Sequence, residues 1–240
     1  NQLGVASERI SVTGSLKFER TVSEQLKQRA VQLRQQLFPT RSIWIAASTH
    51  ENEENLLLDR LQQLQTNNPN LLLILAPRHP HRGISIVNYC NQQSISCVTR
   101  SSGLSCQSDT RVFLLDTLGE LMLFYGVADV AFVGGSLVTV GCHNLLEPAA
   151  WGIPMLFGRS VHNCEEIATE LVASNAAVSV VDADQCIDTV QALFSNQALC
   201  REMGANAINY FNKHQDTLEK TVGIIESMLV IPNFQNTTTK

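Results

Sequence analysis

From Ser42 onward the sequence alternates short β-branched or leucine-rich runs with longer segments of helical period. This alternation constrains the fold more than any other feature of the chain. It is the signature of βα units stacked into a parallel sheet, so the chain reads as α/β, with a Rossmann-like parallel sheet and helices on both faces. The spacing predicts strands over Ser42–Ala47, Leu71–Ala76, Ile95–Thr99, Arg111–Leu115, Val130–Val133, Pro154–Phe157 and Ala177–Val181. Helical patterns fall between them at Glu51–Gln65, Pro80–Gln92, Gly119–Ala128, Leu145–Trp151, Glu165–Ser174 and Ala183–Phe194. A last helical region runs from Gln197 to about Val230, with a break near Lys213 and His214. Residues 1–20 read as a linker segment, 21–232 as one Rossmann-like domain and 233–240 as a polar tail.

Composition excludes several functions. A formal net charge of -5 and a pI near 5.7 leave no basic field that would hold nucleic acid or anionic lipid, so no nucleic-acid partner is expected and any bound anion is held locally. The seven cysteines form no C-x-x-C pair and no clustered ligand spacing, and read as reduced thiols of a cytosolic protein. No apolar run reaches the roughly 18 to 20 residues that span a bilayer, and the amino end lacks a signal-peptide pattern. The glycosylation-like triplet Asn236-Thr237-Thr238 stands in the polar tail without other signs of secretion. The chain starts at Asn1 and passes through Gly4 and Gly14 before a helical pattern begins, as a piece cut from something longer would; a trimmed or processed terminus looks the same.

In an open parallel sheet the ligand lies beyond the carboxyl ends of the strands, where loops lead into helix starts. Four such junctions place a capping residue three positions before a glutamate: Ser48 and Glu51, Thr117 and Glu120, Asn144 and Glu147, Asn163 and Glu166. A capping box accounts for each taken singly. Function has to come from their neighbours.

The stretch Ala76-Pro77-Arg78-His79-Pro80-His81-Arg82 follows an apolar strand. A guanidinium at a strand's carboxyl end suits a phosphate, because its planar fork makes two hydrogen bonds while helix N–H groups add donors. That makes Arg78 the candidate phosphate ligand; an ion pair of Arg78 or Arg82 with a surface carboxylate is the competing reading. His79 and His81 have no accompanying ligand cluster and read as loop histidines. In Asp116-Thr117-Leu118-Gly119-Glu120-Leu121, Gly119 leaves room for a ligand beside the backbone, Leu118 offers support to a flat base, and Glu120 can accept from a hydroxyl or amine. In the third stretch, Gly134-Gly135-Ser136 and then His143-Asn144-Leu145-Leu146-Glu147, Glu147 is placed to accept from a ribose diol. The glycines match neither G-x-G-x-x-G nor the P-loop, which argues against a dinucleotide dehydrogenase and a P-loop NTPase. Asp182-Ala183-Asp184 resembles a D-x-D metal motif but sits where aspartate caps a helix, and no metal or other cofactor is expected.

Six stretches in order, 13–18 (Thr-Gly-Ser-Leu-Lys-Phe), 47–54 (Ala-Ser-Thr-His-Glu-Asn-Glu-Glu), 76–80 (Ala-Pro-Arg-His-Pro), 116–121, 134–137 (Gly-Gly-Ser-Leu) and 143–150 (His-Asn-Leu-Leu-Glu-Pro-Ala-Ala), resemble the donor-domain motifs of the 3-deoxy-D-manno-octulosonic acid (Kdo) transferases. The match runs from about residue 13 to 170. The resemblance implies a GT-B-type enzyme of two Rossmann-like domains, of which this chain is the carboxyl-terminal, CMP-Kdo-binding one. It implies transfer of Kdo from CMP-Kdo to a lipid A precursor at the cytoplasmic face of the inner membrane, with inversion and without a metal ion. The catalytic base, a glutamate, and the membrane-binding surface belong to the amino-terminal domain, so no catalytic residue is expected in this chain. By motif position the CMP contacts fall on Pro77 and Arg78, on Leu118, Gly119 and Glu120, and on Asn144, Leu145, Leu146 and Glu147. Thr139 and Cys142 stand where the family often has proline and glycine, and Arg159, Ser160 and Cys164 depart from its F-G-P-x-x-x-N-F pattern. Two other readings compete: a UDP-sugar transferase or epimerase of the same architecture, which would prefer UDP to CMP, and a Rossmann module that binds a protein partner and no nucleotide.

Overall fold

The computed structural model describes residues 4–6, 9–13, 21–215 and 217–229. The 13–18 motif, apart from Thr13, and the tail 233–240 lie outside them. Contacts divide the chain into two compact units, Val22–Asn212 and the terminal segments Asn1–Thr21 with Lys213–Lys240.

The larger unit is built on a seven-stranded sheet in which every adjacent pair is parallel. Its strands are β1 (Ser42–Thr49), β2 (Leu71–Pro77), β3 (Cys97–Thr99), β4 (Val112–Leu114), β5 (Val130–Val133), β6 (Met155–Phe157) and β7 (Ala177–Ser179), in the order β3-β4-β2-β1-β5-β6-β7. All seven strands fall where the periodicity puts them, with edges moved by up to two residues. β2 is buried along its whole length, as a strand covered on both faces must be.

Helices cover both faces. On one, alternate residues of the central strands, Trp44, Ala46, Leu73, Leu75, Val130 and Phe132, meet Leu57, Leu61 and Leu64 of α2 (Glu53–Asn67), Ile86 of α3 (Gly83–Gln92) and Ile187, Val190 and Leu193 of α7 (Ala183–Ser195). Each such side chain withdrawn from water contributes roughly 1.5–3 kcal/mol before chain entropy is counted. On the other face, Phe113 of β4 stands between Phe38, edge-on at 5.2 Å, and Phe124, stacked at 5.6 Å. Phe124 belongs to α4 (Leu121–Tyr125), and α5 (Leu146–Ala150) follows β5. The segment expected as one helix over 80–92 begins with a 3₁₀ turn at Pro80–Arg82, because proline fits the first turn and lacks the N–H that a longer helix would need. α6 (Glu165–Ala173) and α8 (Gln197–Lys213) complete this part, and α9 (Thr217–Met228) follows the break expected near His214.

One helix has no counterpart in the sequence reading. α1 (Glu24–Leu37) is capped by Ser23, whose Oγ accepts from Leu26 N at 3.2 Å, but only Ala30 of it is fully buried. Polar attachment compensates for the thin apolar stripe. Arg34 donates to the Asp129 carboxylate at 3.0 Å and to the carbonyl oxygens of Arg41 and Val127, while Asp129 also accepts from Ile43 N at 2.8 Å. These bonds tie α1 to the amino ends of β1 and β5, the rim opposite the candidate site. Among the described residues no helix is long and apolar enough to cross a membrane.

Candidate functional site

β1 passes its chain to β2 on one side, whereas β5, its neighbour on the other side, passes to β6. The crevice at the carboxyl ends of β1 and β5 is therefore the topological switch point, where this architecture receives ligands. Loops from β4, β2, β1 and β5 leave the same rim side by side. Leu118, Gly119 and Glu120 follow β4, Pro77 and Arg78 end β2, and Asn144, Leu145, Leu146 and Glu147 open α5 beyond β5. Gly83, at the start of α3, lets the β2 loop lie against the β4 loop: a Cβ there would stand 3.3 Å from that of Asp116.

The floor of the crevice is a buried carboxylate. Glu53, fully buried at the start of α2, accepts backbone N–H from Gly135 at 2.7 Å, Leu137 at 2.9 Å, Ser136 at 3.1 Å and His50 at 3.2 Å. Burial pushes its carboxyl above the ordinary range, and the four donors oppose that rise without cancelling it. Gly134 has to be glycine here: a Cβ would lie 2.6 Å from Ser48 O and 2.8 Å from the Glu53 carboxylate. β1 arrives through a left-handed Ser48 at φ 56°, where its register with β2 shifts, and this brings Thr49 and His50 over the crevice.

The cations above that floor differ in their partners. Arg82 pairs with the buried Glu54 at 3.1 Å, and Arg100 holds Glu120 at 2.8 Å. The guanidinium of Arg100, assisted by Thr117 Oγ1 at 2.5 Å, keeps Glu120 below the usual carboxylate range. Arg78 is exposed, its backbone N–H is fixed on Thr49 O at 2.9 Å, and among the described residues its side chain has no carboxylate partner. The ion-pair reading thus holds for Arg82 and not for Arg78.

No family model matches the chain. A 3-deoxy-D-manno-octulosonic acid transferase of Haemophilus influenzae is 34% identical over 228 residues, which are 95% of this chain and 53% of the relative. The chain thus spans about half the length of that relative. A solved structure, the C-terminal CMP-Kdo binding domain of WaaA from Acinetobacter baumannii, is 33% identical, with a TM-score of 0.73 covering 77% of this chain and 97% of that one. The chain belongs to the Kdo transferase family. Its fold is the Rossmann-like one of GT-B glycosyltransferases, which it shares with Anabaena HepE in complex with UDP-glucose at a TM-score of 0.61 and 17% identity, over 95% of this chain and 59% of that one.

Several departures of this Kdo transferase chain from the family's pattern lie against one another. Cys142 N donates to Ser160 O at 2.7 Å, Ser160 N donates to Ser136 O at 3.0 Å, and the Cys164 thiol lies 3.9 Å from Cys142 O. The changes pack together while His143 N keeps its bond to Gly134 O at 3.1 Å. No disulfide joins any of the seven cysteines, all of which lie among the described residues.

Of the four expected capping boxes, the one at Asn144 is replaced by a local turn: its Oδ1 accepts from Leu146 N at 3.1 Å and its Nδ2 donates to Glu147 at 3.3 Å, while the residue that caps α5 is Leu145. At Ser48 the turn runs two residues further, through a left-handed Asn52, and Glu53 rather than Glu51 reaches back to His50 N. Thr117 bonds the Glu120 carboxylate, but α4 starts beyond them. Asn163 turns to Val140 O, and α6 starts behind Cys164 without a side-chain cap. Asp182 caps α7 through Gln185 N at 2.8 Å, and Asp184 pairs with Arg60, so the D-x-D triplet is accounted for by folding. Among the described residues no group of three or more His, Cys, Asp or Glu side chains is arranged to hold a metal ion.

The sequence reading assigned no role to His50 or His143, which the fold stacks at 5.0 Å with Nε2 atoms 2.7 Å apart. His79 approaches His50 edge-on at 5.9 Å. Burial, then His50, Arg78 and His79, hold His143 down at about 4, below its ordinary 6.5. Between those values the unfolded chain binds more protons than the folded one, so this contribution to stability is complete above pH 6.5 and is lost as the pH falls toward 4. Urea midpoints measured across that interval are expected to drop with acidification, and less steeply for His143→Gln; parallel curves for the two proteins would contradict the assignment.

Proposed function

We propose that this chain is the donor-binding domain of a Kdo transferase and that the rim between β4 and β5 holds the cytidine monophosphate of CMP-Kdo. The intact enzyme would transfer Kdo to a lipid A precursor at the inner membrane, with the acceptor, the membrane surface and the catalytic base supplied by an amino-terminal domain. The observation that carries the reading is Arg78, an exposed guanidinium without a carboxylate partner among the described residues, at the switch-point rim of a domain whose relative from Acinetobacter baumannii binds CMP-Kdo. Arg82 and Arg100 are already neutralised, which leaves Arg78 as the positive charge that follows β2.

In this proposal Pro77 fixes the turn and Arg78 meets the phosphate. Asn144, Leu145, Leu146 and Glu147, with the α5 start beside them, hold the ribose. Leu118, which is 81% exposed, supports the base beside Gly119. Glu120 already receives four hydrogen bonds, three from Arg100 and one from Thr117, so it accepts from a ligand hydroxyl or amine by giving up one of them. Departure of CMP places growing negative charge on the phosphate, and donors fixed beforehand stabilise that charge more in the transition state than in the ground state. Calorimetric titration of the 240-residue chain is expected to show binding of CMP in preference to UDP. A preference for UDP would redirect the reading to another nucleotide-sugar enzyme, and binding of neither would overturn it.

A further inference from the structure

The proposed CMP contacts leave the histidine pair without a role. Two imidazole nitrogens 2.7 Å apart form a hydrogen bond only when one carries a hydrogen and the other does not. A neutral ring that donates through Nε2 has a bare Nδ1. The pair therefore keeps one position at which it can take up a proton without breaking the bond that joins the rings.

The surroundings set when that happens. Arg78 and His79, from the loop after β2, act on both rings through space, and Arg82, from the 3₁₀ turn, acts on His50. His81 stacks on His79 at 5.6 Å, and His162, from the loop after β6, packs near Gly141 at the base of the loop that carries His143. The carboxylates in the neighbourhood are engaged. Glu53 faces the backbone of 135–137, Glu54 faces Arg82, and Glu51, at 77% side-chain exposure, stands 3.6 Å from Arg82. The Cys142 thiol is buried and uncharged, its pKa driven far up by Cys164 and by burial. Burial, and after it the balance of positive charge around the rings, holds them neutral. An anion seated beside Arg78 reverses that balance.

We propose that His50 and His143 form a proton-accepting half of the anion site: when a nucleotide phosphate binds beside Arg78, the pair takes one proton from solvent and becomes a hydrogen-bonded imidazole–imidazolium unit facing the phosphate. The inference rests on the donor-domain reading and adds to it a linkage between ligand and proton. The rings are positioning groups for the phosphate, and no other bond changes.

The test is calorimetry of CMP binding to the 240-residue chain at pH 7 in buffers of different ionisation enthalpy. The apparent enthalpy of the unsubstituted protein is expected to vary with the buffer in the sense of proton uptake, and His143→Gln and His50→Gln are each expected to lose that uptake while still binding CMP. His81→Gln should retain it. Ionisation of the CMP phosphate itself is common to all four proteins and cancels in the comparison. Circular dichroism and the unfolding midpoint verify that each variant is folded; were one to unfold, the ring titrations of the unsubstituted protein, followed by NMR with and without CMP, give the same answer, with both rings expected to titrate at higher pH when CMP is bound. CMP binding with identical buffer dependence in the unsubstituted and His variants, or ring titrations unmoved by CMP, overturns the pair and leaves the donor-domain reading standing. Absence of CMP binding by the unsubstituted protein overturns both.

Discussion

Arg78→Ala is expected to weaken CMP binding by more than tenfold while leaving the unfolding midpoint of the chain unchanged. Both halves of that expectation come from the same environment. The side chain is exposed and, among the described residues, has no carboxylate partner, so its removal orphans nothing inside the fold. Its backbone remains pinned to Thr49 O, so the loop after β2 keeps its path. A charged hydrogen bond to phosphate contributes about 1.5–3 kcal/mol, and tenfold in affinity corresponds to about 1.4 kcal/mol. Arg78→Lys should fall between the two proteins, because it keeps the charge and loses the planar fork. Calorimetry with CMP measures the first half and thermal unfolding the second. An unchanged affinity would remove Arg78 from the phosphate.

Replacement of Glu53 is expected to do the opposite, striking the fold before it touches the ligand. Its carboxylate is fully buried and receives the N–H groups of His50, Gly135, Ser136 and Leu137. Glu53→Ala leaves those donors without an acceptor in a space closed to water, at a cost on the order of 3–5 kcal/mol, since each buried unsatisfied group costs about 1–3 kcal/mol and the loop can relax for some of them. A domain of this size has about 5–15 kcal/mol in total, and the midpoint temperature should fall by about 10 °C. Glu53→Gln keeps the shape and one oxygen but turns an NH₂ group toward N–H donors, and belongs between the two. Urea and thermal unfolding measure both variants. A midpoint unmoved by Glu53→Ala would mean that the glycine loop after β5 holds itself.

The strands and most helices are legible in the sequence because each satisfies a local pattern. Leu71 to Leu75 admits little but a covered strand, and the stripe Leu57, Leu61, Leu64 admits little but a helix against a sheet. α1 escapes, although Leu26, Ala30, Leu33 and Leu37 recur at helical spacing, because polar residues fill the rest of it and its attachment is Arg34 finding Asp129, a partner 95 residues away. The rim is legible to a similar depth. Arg78, Asn144 and Glu147 stand out because strand, turn and helix start fix their positions locally. Arg100 reaching Glu120, and His50 meeting His143 across 93 residues, are products of strand order, which periodicity does not encode. Glu53 and Glu54 offered a signal that went unused: they lie one turn before Leu57 and Leu58 on the same helix face, and charges that extend an apolar stripe are charges about to be buried.

The strand order also sets a constraint on the growing polypeptide. β1 gains its partner β2 early, yet its other neighbour is made only after β3 and β4. Until residues 130–133 have left the ribosome, the half-built sheet ends on the unpaired N–H and C=O groups of Ser42–Thr49, flanked by apolar side chains, an open edge of the kind that recruits other chains. Glu53 waits as long, since its clasp on Gly135 lies 82 residues downstream. Translation that stalls or terminates within that interval should therefore yield sticky, insoluble products, whereas stops placed beyond the glycine loop should be tolerated far better.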